Sequence, residues 1–444
     1  MIFNKLKLFI RAFCFLLIFA ILFGHVQDIL VSRAKMNYRN IAGFYEEREN
    51  SLDAVYIGSS NCFVFWNSAF AWEEYGINVY PYACNSQSFF SAEYLIKETR
   101  KTQENALFIV NINTLTDGKV KMPSIHNLTT SMPFSLNKMA LVHHLTSVGG
   151  YSFSDSLEYY LPIIRYHERW DELKEHDFGI EMDGLKGASK YSPYLYKSVD
   201  VSEDYTRTTK VGELSEEVLY STNKLLDYCD KEKIKVLFVT VPQAKGAAMV
   251  KKYNALNKLI ESRGYPVLSL INKDKEIGLD VTSDFYNGAH TNIHGSIKFT
   301  YYLSEYLIKN YGFKDKRNNK EYNDWNIAYE NYMEAADSYV LSVELDSKHR
   351  NYELKAPKIK LKAEASAVDV TWQSVDGADG YAVFRKETYL GSWEQVTETS
   401  GLEFKDKDAD IGIKYYYTVV PFSEKDNQKY YGEFIHNGRN ITLQ

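Results

Sequence analysis

Four short runs constrain this chain more than any other feature. They are "AVYI" (Ala54–Ile57), "ALFIVNI" (Ala106–Ile112), "KVLFVTV" (Lys235–Val241) and the stretch Tyr265–Leu270. A strand with one wet face alternates polar and apolar residues; a run that is apolar nearly throughout needs cover on both sides. Stretches with helical spacing separate and follow these runs: Ser91–Lys101, Glu216–Lys231, Lys251–Arg263 and Gly295–Tyr311. Alternation of this kind predicts an α/β domain with a parallel sheet covered on both faces, a three-layer α/β/α arrangement. Residues 118–215, rich in Tyr, His and Trp, break the alternation and are expected to insert over one end of the sheet.

After Phe313 the texture changes. "KDKRNNKEYND" is charged and reads as a linker, and residues 323–348 have the pattern of one amphipathic helix. From Pro357 onward, period-2 strands ("KIKLKAEASAVDVTWQ", "GYAVFRK", "KYYYTVVPF") are separated by turns at Asp376-Gly377 and Asp379-Gly380. That is an all-β sandwich pattern. Trp372, Gly380-Tyr381-Ala382-Val383 and "GIKYYYTV" resemble the early Trp, the G-Y-x-V strand and the late Y-x-Y-x-V strand of a fibronectin type III domain. The resemblance implies adhesion or spacing rather than chemistry.

At the other end, Leu8–Val31 is mostly apolar, with Lys5, Lys7 and Arg11 before or within it and no acidic residue in that flank. The uninterrupted part, Ala12–Gly24, has the length of a signal-peptide core. A span of about 20 residues is reached by counting from Leu8 and letting Arg11 snorkel. No A-x-A-like cleavage site follows, which favours an uncleaved signal anchor. In either case the basic flank stays inside and the bulk of the chain lies outside. The expected organisation is therefore an anchor over 1–34, an α/β domain over 50–313, a linker and helix over 314–356 and a sandwich over 357–444. The expected location is the cell membrane, single-pass, with the bulk extracytoplasmic.

The chain has 444 residues and a net charge of −6. That balance argues against nucleic acid as a partner, because a polyanion binder needs a basic field. Its 36 tyrosines belong mostly in cores and strands, though Tyr also suits a wet carbohydrate surface. Four cysteines (Cys14, Cys62, Cys84, Cys229) show no metal-ligand spacing. No metal or cofactor is expected. Cys62 and Cys84 are near enough in sequence for a bridge that nothing else supports.

The first strand ends in Gly58-Ser59-Ser60, at the carboxyl end of a sheet strand, where open α/β sheets bind ligands. A serine there either caps the next helix or acts as a nucleophile. A nucleophile needs a base, and "SDFYNGAHTNIHG" supplies His290 in a late loop before the last helix. The early "YIGSS" and the late "DFYNGAHTNIHG" resemble the first and last blocks of the SGNH/GDSL hydrolase superfamily, over roughly residues 50–313. The likeness is nearest to membrane-anchored bacterial members that modify surface polymers, such as the D-alanine transfer protein of teichoic acids and polysaccharide O-acetyltransferases.

The resemblance maps the nucleophile to Ser60 and the base to His290. It implies an acyltransferase or esterase, a polysaccharide or teichoic-acid-like polymer as acceptor, and an integral-membrane acyl donor. Two departures stand out. The usual Asp three residues before the histidine is Asn287, with Asp284 the alternative carboxylate. The oxyanion residues are altered, with Ala83, Asn111 and Asn113 the candidates. A catalytically inactive glycan-binding or scaffold protein is the alternative reading.

Overall fold

The computed structural model describes residues 2–31, 36–115, 120–178, 184–188, 198–333, 349–364, 366–387, 393–435 and 438–443. Contacts divide the chain into two units, Met1–Tyr329 and Glu330–Gln444.

The first unit opens with α1 (Ile2–Leu30) and α2 (Met36–Gly43), then β1 (Ala54–Gly58), α3 (Ser60–Phe65), α4 (Ser68–Tyr75), β2 (Val79–Ala83), α5 (Ala92–Thr99) and β3 (Leu107–Asn111). Five helices follow: α6 (Met122–Thr129), α7 (Leu136–Gly149), α8 (Phe153–Tyr160), α9 (Ile163–Tyr166) and α10 (Glu175–Phe178). The alternation then resumes with α11 (Glu216–Glu232), β4 (Val236–Thr240), α12 (Ala247–Ser262), β5 (Val267–Ser269) and α13 (Asp274–Ile277). A small hairpin, β6 (Phe285–Asn287) and β7 (His290–Thr291), leads into α14 (Ile293–Tyr311).

Strands β1 to β5 form one five-stranded sheet in the order β2-β1-β3-β4-β5, with every neighbouring pair parallel. Successive residues of a strand point to opposite faces, and both faces are buried. Val55, Ile57, Phe108, Val110 and Phe238 join a core with Leu95 and Ile96 of α5, Leu225 of α11 and Leu256 of α12. Tyr56, Leu107, Ile109, Leu237 and Val239 join a second core with Phe63 and Phe65 of α3 and Phe299, Leu303 and Leu307 of α14. The three layers follow directly: each buried Val, Leu, Ile or Phe contributes about 1.5–3 kcal/mol, and covering only one face would forfeit half of that.

The insertion differs from expectation. Ile125, Leu128, Leu141, Val142 and Leu145 of α6 and α7 enter the core on the α5 side of the sheet, so these helices extend that layer rather than cap one end. The segment read as a linker also contributes. Trp325 is buried against Trp72 of α4, with ring centroids 5.7 Å apart. Residues 323–333 are helical, and the remainder of the helix expected to 348 lies outside the described residues. α1 has a 25-residue apolar stretch, Leu6–Leu30, long enough to cross a membrane, a property that signal sequences share.

From residue 349 the described residues of the second unit form strands only: β8 (His349–Arg350), β9 (Ile359–Glu364), β10 (Ala367–Trp372), β11 (Gly380–Lys386), β12 (Glu394–Thr399), β13 (Glu403–Asp406), β14 (Lys414–Lys425), β15 (Gln428–Tyr431) and β16 (Arg439–Thr442). A three-stranded sheet, β13-β10-β9, packs its Ile359, Val368, Val370 and Trp372 against Tyr381, Val383, Tyr417 and Val419 of a second sheet, β12-β11-β14-β15-β8, with β16 also on β14. The result is a β-sandwich. The Tyr415 hydroxyl accepts a hydrogen bond from the Asp410 N–H at 3.1 Å, pinning the turn that enters β14 as a tyrosine corner does. Residues 349–356 belong to the sandwich edge: the Asn351 N–H donates to the Tyr431 carbonyl, and buried Leu354 accepts from the Glu433 N–H.

Candidate functional site

The strand order reverses between β1 and β3, and crevices in open parallel sheets form at that point, outside the carboxyl ends of the strands. β1 ends there at Gly58. A Cβ on Gly58 would lie 2.2 Å from the Cys62 Sγ and 2.8 Å from the Asn111 Cβ, so only glycine lets α3 and β3 close on the turn. Ser59 takes the N-cap position of α3 with extended backbone, but its side chain makes no capping bond; its hydroxyl donates to Asn61 Oδ1 at 3.2 Å. Ser60 is the first residue of α3 and half-buried. Its Oγ lies 2.8 Å from Nε2 of His290.

His290 reaches Ser60 because the β6–β7 hairpin is held down at several points. Asn292 caps α14, accepting from the Gly295 N–H at 3.1 Å. Thr291 Oγ1 donates to the Val64 carbonyl, and Ser296 and Thr300 donate to the Phe65 carbonyl. Phe65 stands edge-on to Phe299 with centroids 5.3 Å apart. Thus α14 clamps α3, and the residues either side of the two functional groups are fixed to each other.

The protonation pattern can be deduced. Asn287 Oδ1 receives the Ala289 backbone N–H at 2.8 Å, and a backbone N–H only donates. That fixes which end of the Asn287 amide faces the hairpin. The same oxygen lies 3.1 Å from His290 Nδ1. Nδ1 therefore carries the proton and donates, which leaves the Nε2 lone pair to accept from Ser60 Oγ–H. Burial first, and the nearby charge of Lys245 second, push the His290 pKa down from 6.5 to about 4. The ring is neutral at pH 7 and available as a base. The side of the ring that a carboxylate usually supports holds a neutral amide.

Asp284 does not take that place. It is buried, its Oδ2 accepts from the Asp280 N–H at 2.7 Å and pairs with Lys298 at 2.7 Å. Asn287, not Asp284, stands beside Nδ1. His294 lies in the first turn of α14.

The oxyanion candidates are placed differently from expectation. Asn113 donates its two amide protons to the Val241 carbonyl at 3.0 Å and to Gln243 Oε1 at 3.1 Å, and accepts the Val241 N–H at 2.7 Å. It ties β3 to β4 and has no donor left for a substrate. Asn111 is fully buried, accepting from the Asn113 N–H and donating to the Tyr56 hydroxyl. Ala83 is fully buried within β2, in register with Gly58. Cys62 and Cys84 are free buried thiols, so no bridge links them. Burial pushes the Cys62 thiol well above its usual range and makes it a poor nucleophile.

Gln243 escaped the sequence reading. It is buried, takes a proton from Asn113, and donates from Nε2 to the Ala289 carbonyl at 2.9 Å. The next residue repeats the contact, with the Ala244 N–H donating to the Gly288 carbonyl at 2.7 Å. The β4 end loop therefore holds the hairpin tip beside His290. The signal available in the sequence was a polar residue just beyond a nearly uniform apolar strand, at the sheet's carboxyl edge. Arg165 and Arg169 pair with Glu158 and Asp177.

No family model matches the chain. An amylopullulanase of Thermoanaerobacterium saccharolyticum is 30% identical over 81 residues, 17% of this chain and 6% of that protein. The chain thus spans a small fraction of this curated relative. Solved structures with local likeness include a Fn3-like protein from Clostridium thermocellum (20% identity, 18% of this chain and 84% of that one, TM-score 0.16). Another is a β-1,2-glucanase from Parabacteroides distasonis (19% identity, 20% of this chain and 13% of that one, TM-score 0.17).

Proposed function

We propose that the chain is a membrane-tethered, extracytoplasmic acyltransferase or esterase that modifies a cell-envelope polysaccharide through Ser60. The observation that carries this is the relay from Ser60 through His290 to Asn287, at the crevice where the strand order reverses. In the first half-reaction Ser60 Oγ attacks the acyl carbonyl while its proton passes to His290 Nε2. The same proton then leaves with the departing group, and an ester remains on Ser60. In the second half, His290 takes the proton of an acceptor hydroxyl, which attacks that ester and frees Ser60. Water in place of the acceptor makes the protein an esterase.

Three further features support the reading. The first and last motifs resemble those of SGNH/GDSL hydrolases. The apolar α1 is long enough to cross a membrane, which supports an anchor from which the site could receive an acyl group from an integral-membrane protein. The sandwich has a fibronectin type III-like pattern, and the curated protein sharing an 81-residue stretch is named amylopullulanase, which favours a glycan-facing role.

A second reading, a non-catalytic binding protein, draws on one observation. Burial and Lys245 disfavour the imidazolium that acylation must form, and the neutral Asn287 beside Nδ1 supplies no charge to offset them. Incubation with a fluorophosphonate probe separates the two. Covalent labelling that disappears in Ser60→Ala supports the enzyme; an unlabelled wild-type chain supports the binder.

A further inference from the structure

α1 is bare along most of its length and covered at its end. Leu8, Phe9, Phe15, Leu16 and Leu22 are each at least 60% exposed, whereas Leu30 and Val31 are buried. What covers the end is the insertion. Gln27 Oε1 accepts from the Ile163 N–H at 3.3 Å, and the Leu30 carbonyl accepts from the Arg169 guanidinium. Arg169 is itself held by both oxygens of the fully buried Asp177, at 3.0 Å each.

Beside each of these three anchoring residues stands an exposed large apolar side chain. Ile164 follows Ile163 and is 45% exposed; Trp170 follows Arg169 and is 71% exposed; Phe178 follows Asp177 and is 64% exposed. Soluble surfaces rarely expose apolar side chains in a contiguous group. Here the three positions share one neighbour, the last turns of α1.

We propose that Ile164, Trp170 and Phe178 form a lipid-facing pad that rests in the outer interface of the bilayer. The inference rests on the reading of α1 as a membrane anchor. If α1 spans, its 25-residue apolar stretch, about 37 Å of helix, exceeds a hydrocarbon core of about 30 Å. Leu30 then lies at the outer headgroup level, and residues hydrogen-bonded to Gln27 and Leu30 lie there too. Trp favours that layer, because its ring is apolar and its N–H stays wet. The pad turns a single-helix tether into a two-point mount and fixes the orientation of the α/β domain above the membrane.

Fluorescence tests this cleanly. The chain has six tryptophans; Trp66, Trp72, Trp325, Trp372 and Trp393 are all buried, and Trp170 alone is exposed. The full chain is reconstituted in phosphatidylcholine vesicles with and without lipid brominated near the headgroup, beside Trp170→Phe. The emission due to Trp170, taken as the difference between the two proteins, is expected to fall at least twofold with brominated lipid and to resist aqueous iodide. Flotation of the same samples checks the anchor. A chain that does not float with vesicles defeats the anchor and the pad together. A chain that floats while Trp170 ignores brominated lipid and is quenched by iodide keeps the anchor and overturns the pad, leaving an integral-membrane protein as the natural cover.

Discussion

Asn287 and His290 share one oxygen-centred hydrogen bond at 3.1 Å, and its direction is set by a third group, the Ala289 N–H. In serine hydrolases where an amide replaces the carboxylate and holds the wrong tautomer, activity falls by about four orders of magnitude. Here Ala289 turns the amide oxygen toward the ring, so the working tautomer is retained and only the charge is lost. Labelling of Ser60 by a fluorophosphonate is therefore expected in the wild type. Ser60→Ala should abolish it while leaving the melting temperature within a degree or two, since a half-exposed hydroxyl is removed.

Asn287→Asp restores the charge. A carboxylate beside Nδ1 favours the imidazolium, so the His290 pKa should rise from about 4 toward or beyond 6.5. In the wild type the labelling rate should stay flat from pH 8 down to about 5. In the variant the acidic limb should move up by at least one pH unit, with the rate at pH 8 preserved or raised. An unmoved limb would show that Asn287 does not act on the ring.

The depressed pKa also has a stability consequence. The unfolded chain binds a proton on His290 near pH 6.5 and the folded chain only near 4. Between these values the unfolded state holds more protons, so this group costs stability as pH falls from about 6.5 to 4 and adds no further change below. Urea midpoints measured across that window should fall more steeply for wild type than for His290→Gln.

Asp284→Ala separates two roles. Because Asp284 binds the Asp280 N–H and Lys298 rather than His290, the labelling rate should change little. Stability should fall by about 1–3 kcal/mol, the loss expected when a buried N–H is left unpaired. A loss of labelling by orders of magnitude in a folded variant would return Asp284 to the relay.

Gln243 is expected to act by position alone. Gln243→Met removes the acceptor for Asn113 and the donor to Ala289 without adding a charge. The labelling rate should drop by roughly tenfold, as misplacement of a catalytic group by under 1 Å allows. The pH limb should stay in place, since the groups around the ring are unchanged.

Much of this architecture was legible in the sequence, for physical reasons. β1, β3 and β4 were found to within a residue or two because strands buried on both faces have nearly uniform composition. β2 was missed: its Val79-Tyr80-Pro81-Tyr82-Ala83 carries a proline, which argues against a central strand and is tolerated here because β2 is the sheet edge. Ser60, His290 and Asn287 were readable because each sits in a local motif. Asn111, Asn113 and Gln243 were not, because a buried amide takes its role from partners far away in the chain, and the local pattern is the same whether it faces a substrate or a neighbouring loop. The sandwich boundary was set at Pro357 because β8 is two residues long and has no pattern of its own. A fragment starting at 349 should unfold cooperatively and exceed one starting at 357 by about the burial of Leu354, 1.5–3 kcal/mol.

The Ser60–His290 hydrogen bond joins residues 230 positions apart. Synthesis at about 5–20 residues per second delivers His290 roughly 10–50 s after Ser60. Throughout that interval the serine is in the chain without its base. The clamp of α14 on α3 that brings them together forms only once α14 has emerged. In a chain cut short before Ile293 that clamp is missing, so the two side chains meet only in a nearly complete domain.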